Sequence, residues 1–285
     1  MGNNSSKVIA GIVTYNPEIA RLKSNLESVR LQIEKIIVID NGSGNVEEIE
    51  ELINGINSNI ELVKWEKNKG IAFALKVIMD YSKKEQAEWV LTLDQDSIVQ
   101  EGLIAEYLKY ANQQECSNVG MFTCLIKDRN FSDPKHEVQR GNLQKVDCCI
   151  TSGAFCSVEK YKHINGYDVS FFIDCVDFDI CYQLRDAGFD ICRINYLGLI
   201  HEVGHGENRH FFLKKIVIYH HNEKRIYTLS RNMMYLWRKH PKIFGVHRLI
   251  KKYLALFTRI VVYEDHKRAK LRAFQKGVND ALKNL

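Results

Sequence analysis

The chain has 285 residues, of which 45% are hydrophobic, 26% charged and 10% aromatic; this suits one large globular domain, or a domain with an appendage, and excludes disordered, collagen-like and small disulfide-scaffold classes. The longest stretch free of Asp, Glu, Lys and Arg is the eleven residues from Cys148 to Val158, about half of what a membrane-spanning helix needs. The net charge of +5 is uneven: Tyr235 to Leu285 carries 13 Lys or Arg against 3 Asp or Glu, which leaves 27 against 32 elsewhere, so a basic tail follows a mildly acidic body.

Met1 to Ser6 is small and polar and lacks the apolar stretch of a signal peptide, which places the protein in the cytoplasm. Lys7 to Thr14 reads as a first strand, and Pro17-Glu18 open a helix to about Leu31 with Leu22, Leu26 and Val29 on one face. Lys35 to Asp40 is a nearly continuous Ile-Ile-Val-Ile run, the mark of a strand buried on both faces. Asn41-Gly42-Ser43-Gly44 is a turn, followed by a helix from Val46 to about Asn54, a strand from Glu61 to Trp65, a helix from Gly70 to Lys84 and a strand from Trp89 to Leu93. This alternation predicts a parallel α/β sheet. A helix starts near Glu101, a strand runs near Val119 to Ile126, and a polar loop covers Asp128 to Gln144. Val146 to Val158 is apolar and holds Ser152-Gly153, small residues that suggest close approach of backbone to ligand. An aromatic stretch from Tyr167 to Phe172 leads to the acids Asp174, Asp177 and Asp179 and a helix to about Gly188. Ile191 to Ile200 reads as extended, Phe211 to Arg238 as helical, and two basic helices follow Pro241. The eight cysteines form no Cys-x-x-Cys pair and read as reduced, buried thiols.

In open α/β sheets ligands gather beyond the carboxyl ends of the strands, where Thr14, Asn16, Asp40, Asn41, Asp94 and Asp96 all fall. Asp94-Gln95-Asp96-Ser97 offers two hard carboxylates suited to Mg²⁺ or Mn²⁺ and, through the metal, to a diphosphate; the plainer reading is a loop that caps the next helix. There is no Gly-x-Gly-x-x-Gly and no Walker lysine loop, so a metal is the natural holder of phosphates. Asp40-Asn41-Gly42-Ser43 is at once a turn and a set of polar groups suited to a base and ribose.

In order, Thr14-Tyr15-Asn16-Pro17, Ile39-Asp40-Asn41-Gly42-Ser43, Asn68-Lys69-Gly70-Ile71-Ala72, Leu93-Asp94-Gln95-Asp96-Ser97, Thr151-Ser152-Gly153, Phe172-Ile173-Asp174-Cys175-Val176-Asp177, His201-Glu202-Val203-Gly204 and Arg231-Asn232 resemble the motifs of inverting family 2 glycosyltransferases. The Asp-Gln-Asp-Ser and Phe-Ile-Asp-x-Val-Asp forms resemble the bacterial rhamnosyltransferase branch. The resemblance implies a GT-A fold: Rossmann-like, with a mainly parallel central sheet flanked by helices, over residues 1–234, and a C-terminal helical extension over 235–285. The nucleotide-binding half would be about 1–98 and the acceptor half about 99–234. It implies an inverting transfer of a sugar, L-rhamnose from dTDP-L-rhamnose in preference to a hexose from a UDP-sugar, onto a polyprenyl-diphosphate-linked glycan of a cell-surface polysaccharide. By the same resemblance Thr14, Tyr15, Asn16, Asp40, Asn41, Asn68, Gly70, Asp94 and Gln95 would line the nucleotide. Asp96, Asp94 and His201 would hold Mn²⁺ or Mg²⁺, and Ser152, Gly153, Asp174, Arg225, Tyr227 and Arg231 would face acceptor and diphosphate. Asp177 stands at the place of the base; Val176 departs from the family's usual Glu-Asp pair and leaves Asp174 and Asp179 as alternates.

His201-Glu202-Val203-Gly204-His205 also spells the zinc-hydrolase signature His-Glu-x-x-His, which requires a helix. The extended run before it and the glycines at 204 and 206 argue against one, at about 1 kcal/mol each. Arg225, Tyr227 and Arg231 share a helix, and an arginine facing the crevice would grip a diphosphate. In the tail Phe244, Leu249, Ile250, Tyr253, Leu254, Phe257, Ile260 and Val261 form an apolar stripe with basic flanks. It suits the inner membrane surface, a helical hairpin on the core, or a second copy of the chain. Nucleic acid fits the acidic crevice poorly.

Overall fold

A computed structural model describes residues 6–56, 59–129, 143–201, 207–211 and 214–283. The first half is β1 (Val8–Thr14), α1 (Ile19–Arg30), β2 (Lys35–Asp40), α2 (Val46–Gly55), β3 (Ile60–Lys64), α3 (Ile71–Lys84) and β4 (Trp89–Asp94). It continues through β5 (Ile98–Val99), α4 (Leu103–Ala111), β6 (Val119–Asp128), β7 (Gln144–Lys145), β8 (Ala154–Ser157), the single turn α5 (Val158–Tyr161), α6 (Val176–Asp186) and β9 (Asp190–His201). A hairpin of β10 (Glu207–Phe211) and β11 (Lys214–Ile218) precedes the helices α7 (Glu223–Lys239), α8 (Val246–Tyr263) and α9 (Lys267–Lys283).

The main sheet has the order β3-β2-β1-β4-β8-β6-β9-β5, with β7 beside β9. β1, β2, β3 and β4 are mutually parallel, as the alternating pattern predicts. β8 enters antiparallel to both β4 and β6, so the second half is mixed. Because side chains alternate across a strand, Ile36 and Val38 of β2 enter the core beneath α1, α2 and α4, while Ile37 and Ile39 enter the core beneath α3 and α6. Both faces are covered, which is why the strand carries no polar alternation.

Two expectations are corrected, and the apolar Val146–Val158 run, to which the sequence assigns no element, is divided. The reading of a helix from Phe211 gives way to the β10–β11 hairpin: Lys214–Ile218 pairs antiparallel with Glu207–Phe211, and helix α7 begins only where the Asn222 side chain accepts from the Arg225 N–H at 2.9 Å. Within the apolar Val146–Val158 run, only Ala154–Ser157 forms a strand. The division at residue 234 falls inside α7, which runs unbroken through it. The C-terminal helices share the main core through Leu236, Phe244, Leu249, Leu256, Ile260 and Ala281. α9 lies so close to α7 that a Cβ at Gly277 would collide with the Ser230 hydroxyl and the Tyr227 carbonyl oxygen.

Candidate active site

The crevice begins where β1, β2 and β4 end. Asp40, fully buried at the end of β2, accepts from Thr14 Oγ1 at 3.0 Å and from the Ser43 N–H at 3.0 Å, and bonds the Ser43 hydroxyl as well. Its carboxylate therefore folds the turn that carries Asn41 and Ser43. Asn41 Oδ1 accepts from Lys69 N–H at 2.8 Å, which fixes the Asn68-Lys69-Gly70 loop against the turn. Asn16, in the left-handed region at φ 46°, donates its N–H to Ser43 Oγ and accepts from the Gly44 N–H. Tyr15 is exposed, and its N–H donates to Gln95 Oε1 at 2.8 Å. Thus the expected nucleotide set is brought together, with Asp40 and Asn41 buried beneath and Tyr15 at the rim.

Gly70 is required by its geometry. At φ +87° it admits no side chain comfortably, and a Cβ there would lie 2.6 Å from the Phe172 carbonyl oxygen. That oxygen accepts from the Ile71 N–H at 2.8 Å, so the loop before α3 touches the loop before α6.

The Asp94–Ser97 turn is held from below. Ser152 Oγ accepts from the Asp94 N–H at 3.1 Å and meets Ser97 Oγ at 2.7 Å, and Ser97 Oγ meets His201 Nδ1 at 3.0 Å. Asn25, fully buried on α1, donates to the carbonyls of Asp94 at 2.9 Å and Ser97 at 2.7 Å. Sequence reasoning passed over Asn25, although an amide on the same stripe as Leu22, Leu26 and Val29 is a signal in itself. The correction concerns Ser152 and Gly153: Ser152 has no exposure, Gly153 donates its N–H to the Thr92 carbonyl at 2.8 Å, and both support the turn from beneath.

His201 ends strand β9, in register with Asp128 of β6, so it does not sit on the helix that the zinc-hydrolase reading requires. Glu202 and His205 lie outside the described residues. His201 Nε2 is 3.7 Å from Asp94 Oδ2, and Nδ1 is 3.5 Å from Asp96 Oδ1. Burial lowers the imidazole's affinity for a proton, but the bond to Asp96 and the charge of Asp94 outweigh it and raise its pKa. Burial raises Asp94 in turn, while for Asp96 the same penalty is overcome by His201, and its pKa falls. Two carboxylates thus gather around one imidazole. Among the described residues no three His, Cys, Asp or Glu side chains form a complete metal cluster; the oxygen pair with an adjacent imidazole is a donor set that suits Mn²⁺ or Mg²⁺.

The opposite wall is the loop from Phe171 to Asp177. Phe172, Asp174 and Cys175 all have positive φ, at 56°, 62° and 65°, a concentration of backbone strain. Asn232, fully buried on α7, holds it: Nδ2 donates to the carbonyls of Phe171 and Ile173, each at 2.7 Å, and of Asp174 at 3.1 Å. Asp177 follows in the first turn of α6. Burial, reinforced by the nearby charges of Asp174 and Asp94, pushes its carboxyl up to about 6 against the pull of the Phe178 N–H. Asp174 Oδ1 accepts from Arg225 at 3.1 Å, whereas its buried Oδ2 has no partner.

The remaining expectations part here. Asp179 is buried and bonded to His240 at 2.9 Å, Lys239 at 2.9 Å and Gln183 at 2.7 Å, which leaves it no face toward the crevice. Tyr227 points to α9, where its hydroxyl donates to Asp280 at 3.0 Å. Arg231 donates to the Ser170 carbonyl at 2.9 Å and to Asn232 Oδ1, so it braces the strained loop. Of the three helix residues only Arg225 reaches the acidic cluster.

Residues 10–165 match the model of glycosyl transferase family 2. The chain is similar to the dTDP-rhamnosyl transferase RfbF of Shigella flexneri, 25% identical over 259 residues covering 86% of each. It is also similar to the rhamnosyltransferase WbbL of Escherichia coli, 25% identical over 176 residues, 52% of this chain and 63% of the other. In architecture it is similar to the mannosyltransferase PcManGT from Pyrobaculum calidifontis in complex with GDP-Man and Mn²⁺, with TM-score 0.60 and 14% identity over 99% of this chain and 75% of that one. TarS of S. aureus in complex with UDP-GlcNAc has TM-score 0.61 and 13% identity over 97% and 81%. These structures share the GT-A fold.

Proposed function

Since the chain belongs to glycosyl transferase family 2, we propose that it moves L-rhamnose from dTDP-L-rhamnose onto a hydroxyl of a polyprenyl-diphosphate-linked or growing cell-surface glycan, with inversion at the anomeric carbon. The similarity to RfbF across 86% of the chain supports the donor. The observation that supports the reaction is Asp177, in the first turn of α6, where burial with the nearby charges of Asp174 and Asp94 raises its carboxyl to about 6.

A carboxylate with that affinity is ionised at neutral pH and still accepts a proton readily, which suits a general base. Asp177 takes the proton of the acceptor hydroxyl as that oxygen attacks the anomeric carbon from the face opposite the nucleotide. Asn232 and Arg231 keep the Asp174–Asp177 loop in its strained form, so the base is positioned before the acceptor arrives. Arg225 fixes Asp174 by donating to its Oδ1 at 3.1 Å. Asn16, Asn41, Asn68 and Gln95 line the base and ribose, with Asp40 and the fully buried Thr14, bonded to it, folding the turn beneath them. Asp94 and Asp96, beside His201, are the residues that would hold Mn²⁺ or Mg²⁺, which when bound supplies charge neutralisation for the departing diphosphate.

Calorimetric titration with dTDP, UDP and GDP, each with and without Mn²⁺, tests this reading. The expected result is Mn²⁺-dependent binding of dTDP at least tenfold tighter than of the other two. Tighter UDP binding would replace rhamnose by a UDP-sugar, and binding of none would overturn the proposal.

A further inference from the structure

The tightest turn in the wall of the crevice is centred on Phe172. This residue has φ 56° and ψ −61°, and the Ile173 N–H donates across it to the Phe171 carbonyl at 2.6 Å; together these make a γ-turn of the rare, strained kind. Phe171 enters the core, whereas Phe172 beside it is 41% exposed, so burial of its own ring does not hold the strained form. Other bonds do. Asn232 donates to the carbonyls of Phe171 and Ile173 on either side, and the Phe172 carbonyl accepts from the Ile71 N–H. The ring lies on the glycine of the nucleotide loop, for a Cβ at Gly70 would come 2.6 Å from its Cδ2 and 2.8 Å from its Cγ. Strain kept by buried bonds at an exposed aromatic side chain points to a function for that side chain.

We infer that the Phe172 ring is a specificity-determining surface for the transferred sugar, receiving the apolar C6 methyl of a 6-deoxyhexose. This role rests on the dTDP-L-rhamnose donor reading and adds to it the residue that reads the sugar. A sugar in transfer lies between the loop that lines the nucleotide and the carboxylate that activates the acceptor. Phe172 touches the first through Gly70 and precedes the second, Asp177, on the same wall. Asp174, Asp177 and Arg225 on that side of the crevice are charged and suit hydroxyls and phosphates. The ring offers an apolar surface where they offer none. A methyl placed on it loses only contact with water, whereas a C6 hydroxyl in its place would lose a hydrogen bond to water and find no partner on the ring. The selection such a surface achieves is bounded, since an apolar site rejects an added hydroxyl by about a hundredfold.

Transfer into the lipid-linked glycan fraction from dTDP-L-rhamnose and from its 6-hydroxyl counterpart dTDP-L-mannose tests this role, with Mn²⁺ present, for the parent, Phe172→Ala and Phe172→Leu. The affinity of each for dTDP is measured beside it. The parent should favour the rhamnose donor in kcat/KM by about tenfold or more. Phe172→Ala keeps the carbonyl that Ile71 bonds, and should remove most of that preference while its affinity for dTDP stays that of the parent. Phe172→Leu, which keeps an apolar side chain, should retain the preference. A parent without preference, or an alanine variant with the parent's ratio, would overturn the role. So would equal losses of dTDP affinity and of transfer, for then the ring only packs on Gly70, and so would a change confined to the acceptor KM, for then the ring faces the acceptor. A parent that binds no dTDP refutes the donor reading itself, whereas a parent that binds dTDP beside an alanine variant with an unchanged ratio refutes the role of Phe172 alone.

Discussion

Replacing Asp177 with asparagine should make the protein more stable, and increasingly so as pH rises. In the folded chain burial moves this carboxyl from its ordinary 3.8 to about 6. An acid whose folded value is raised binds its proton more tightly in the native state, so it costs nothing below about pH 4, costs more as pH rises through 6, and holds a constant cost above. The full cost, from a shift of that size, is about 3 kcal/mol as an upper bound. Between about pH 5 and pH 8 the stability gap between the variant and the parent should widen by about 1.4 kcal/mol. For a chain of this length that is about 2 °C in the unfolding midpoint. The asparagine keeps an oxygen to accept from the Phe178 N–H, so the comparison isolates the charge. Thermal unfolding without nucleotide or metal reads it. A gap that is the same at both pH values, or a variant less stable than the parent at about pH 8, would show that the charge is not buried and would remove the basis for choosing Asp177.

Asp96→Ala should abolish the Mn²⁺ dependence of dTDP binding in a calorimetric titration, while metal-independent affinity remains; unchanged metal dependence would leave the turn a helix cap. Gly70→Ala places a Cβ 2.6 Å from the Phe172 carbonyl oxygen at φ +87°, and should cost about 1–3 kcal/mol in thermal unfolding and weaken donor binding. A neutral outcome would mean that the contact between the two loops is dispensable. Asn232→Ala removes the donor that three carbonyls share, of which that of Phe171 keeps the Ile173 N–H, a loss of about 2–3 kcal/mol for the buried acceptors. It should lower kcat at least tenfold with donor KM nearly unchanged, and a loss in donor KM alone would contradict its positioning role.

Much of the nucleotide half was legible because its elements repeat simple signals. The Ile-Ile-Val-Ile run of β2 is buried on both sides by different helices, and its unbroken apolar character follows from that. The polar residues at the ends of β1, β2 and β4 could be placed because parallel order puts those ends together. The second half was less legible because its contacts are long-range. Ser152 lies in a run that reads as ligand-facing, yet its hydroxyl is spent on Asp94 and Ser97, far away in sequence. Tyr227 and Arg231 share a helix face whose direction is set by α9 and by the strained loop, neither of which leaves a trace in local spacing. Lys214–Ile218 pairs with Glu207–Phe211, and a run as short as Ile216-Val217-Ile218 does not separate strand from helix by spacing alone. Asp174, Asp177 and Asp179 look alike as letters; only burial and partners separate the crevice acids from Asp179 with its Lys239 and His240.

The most direct measurement is transfer of radiolabelled sugar from dTDP-L-rhamnose into an organic-extractable lipid-linked glycan fraction, with Mn²⁺ present, for the parent chain and for Asp177→Asn. The parent should incorporate label, and the variant should bind dTDP with the same affinity and incorporate at least a thousandfold less. Incorporation by the variant at the parent's rate would contradict the assignment of the base, and no incorporation by the parent, with dTDP bound, would contradict rhamnosyl transfer itself.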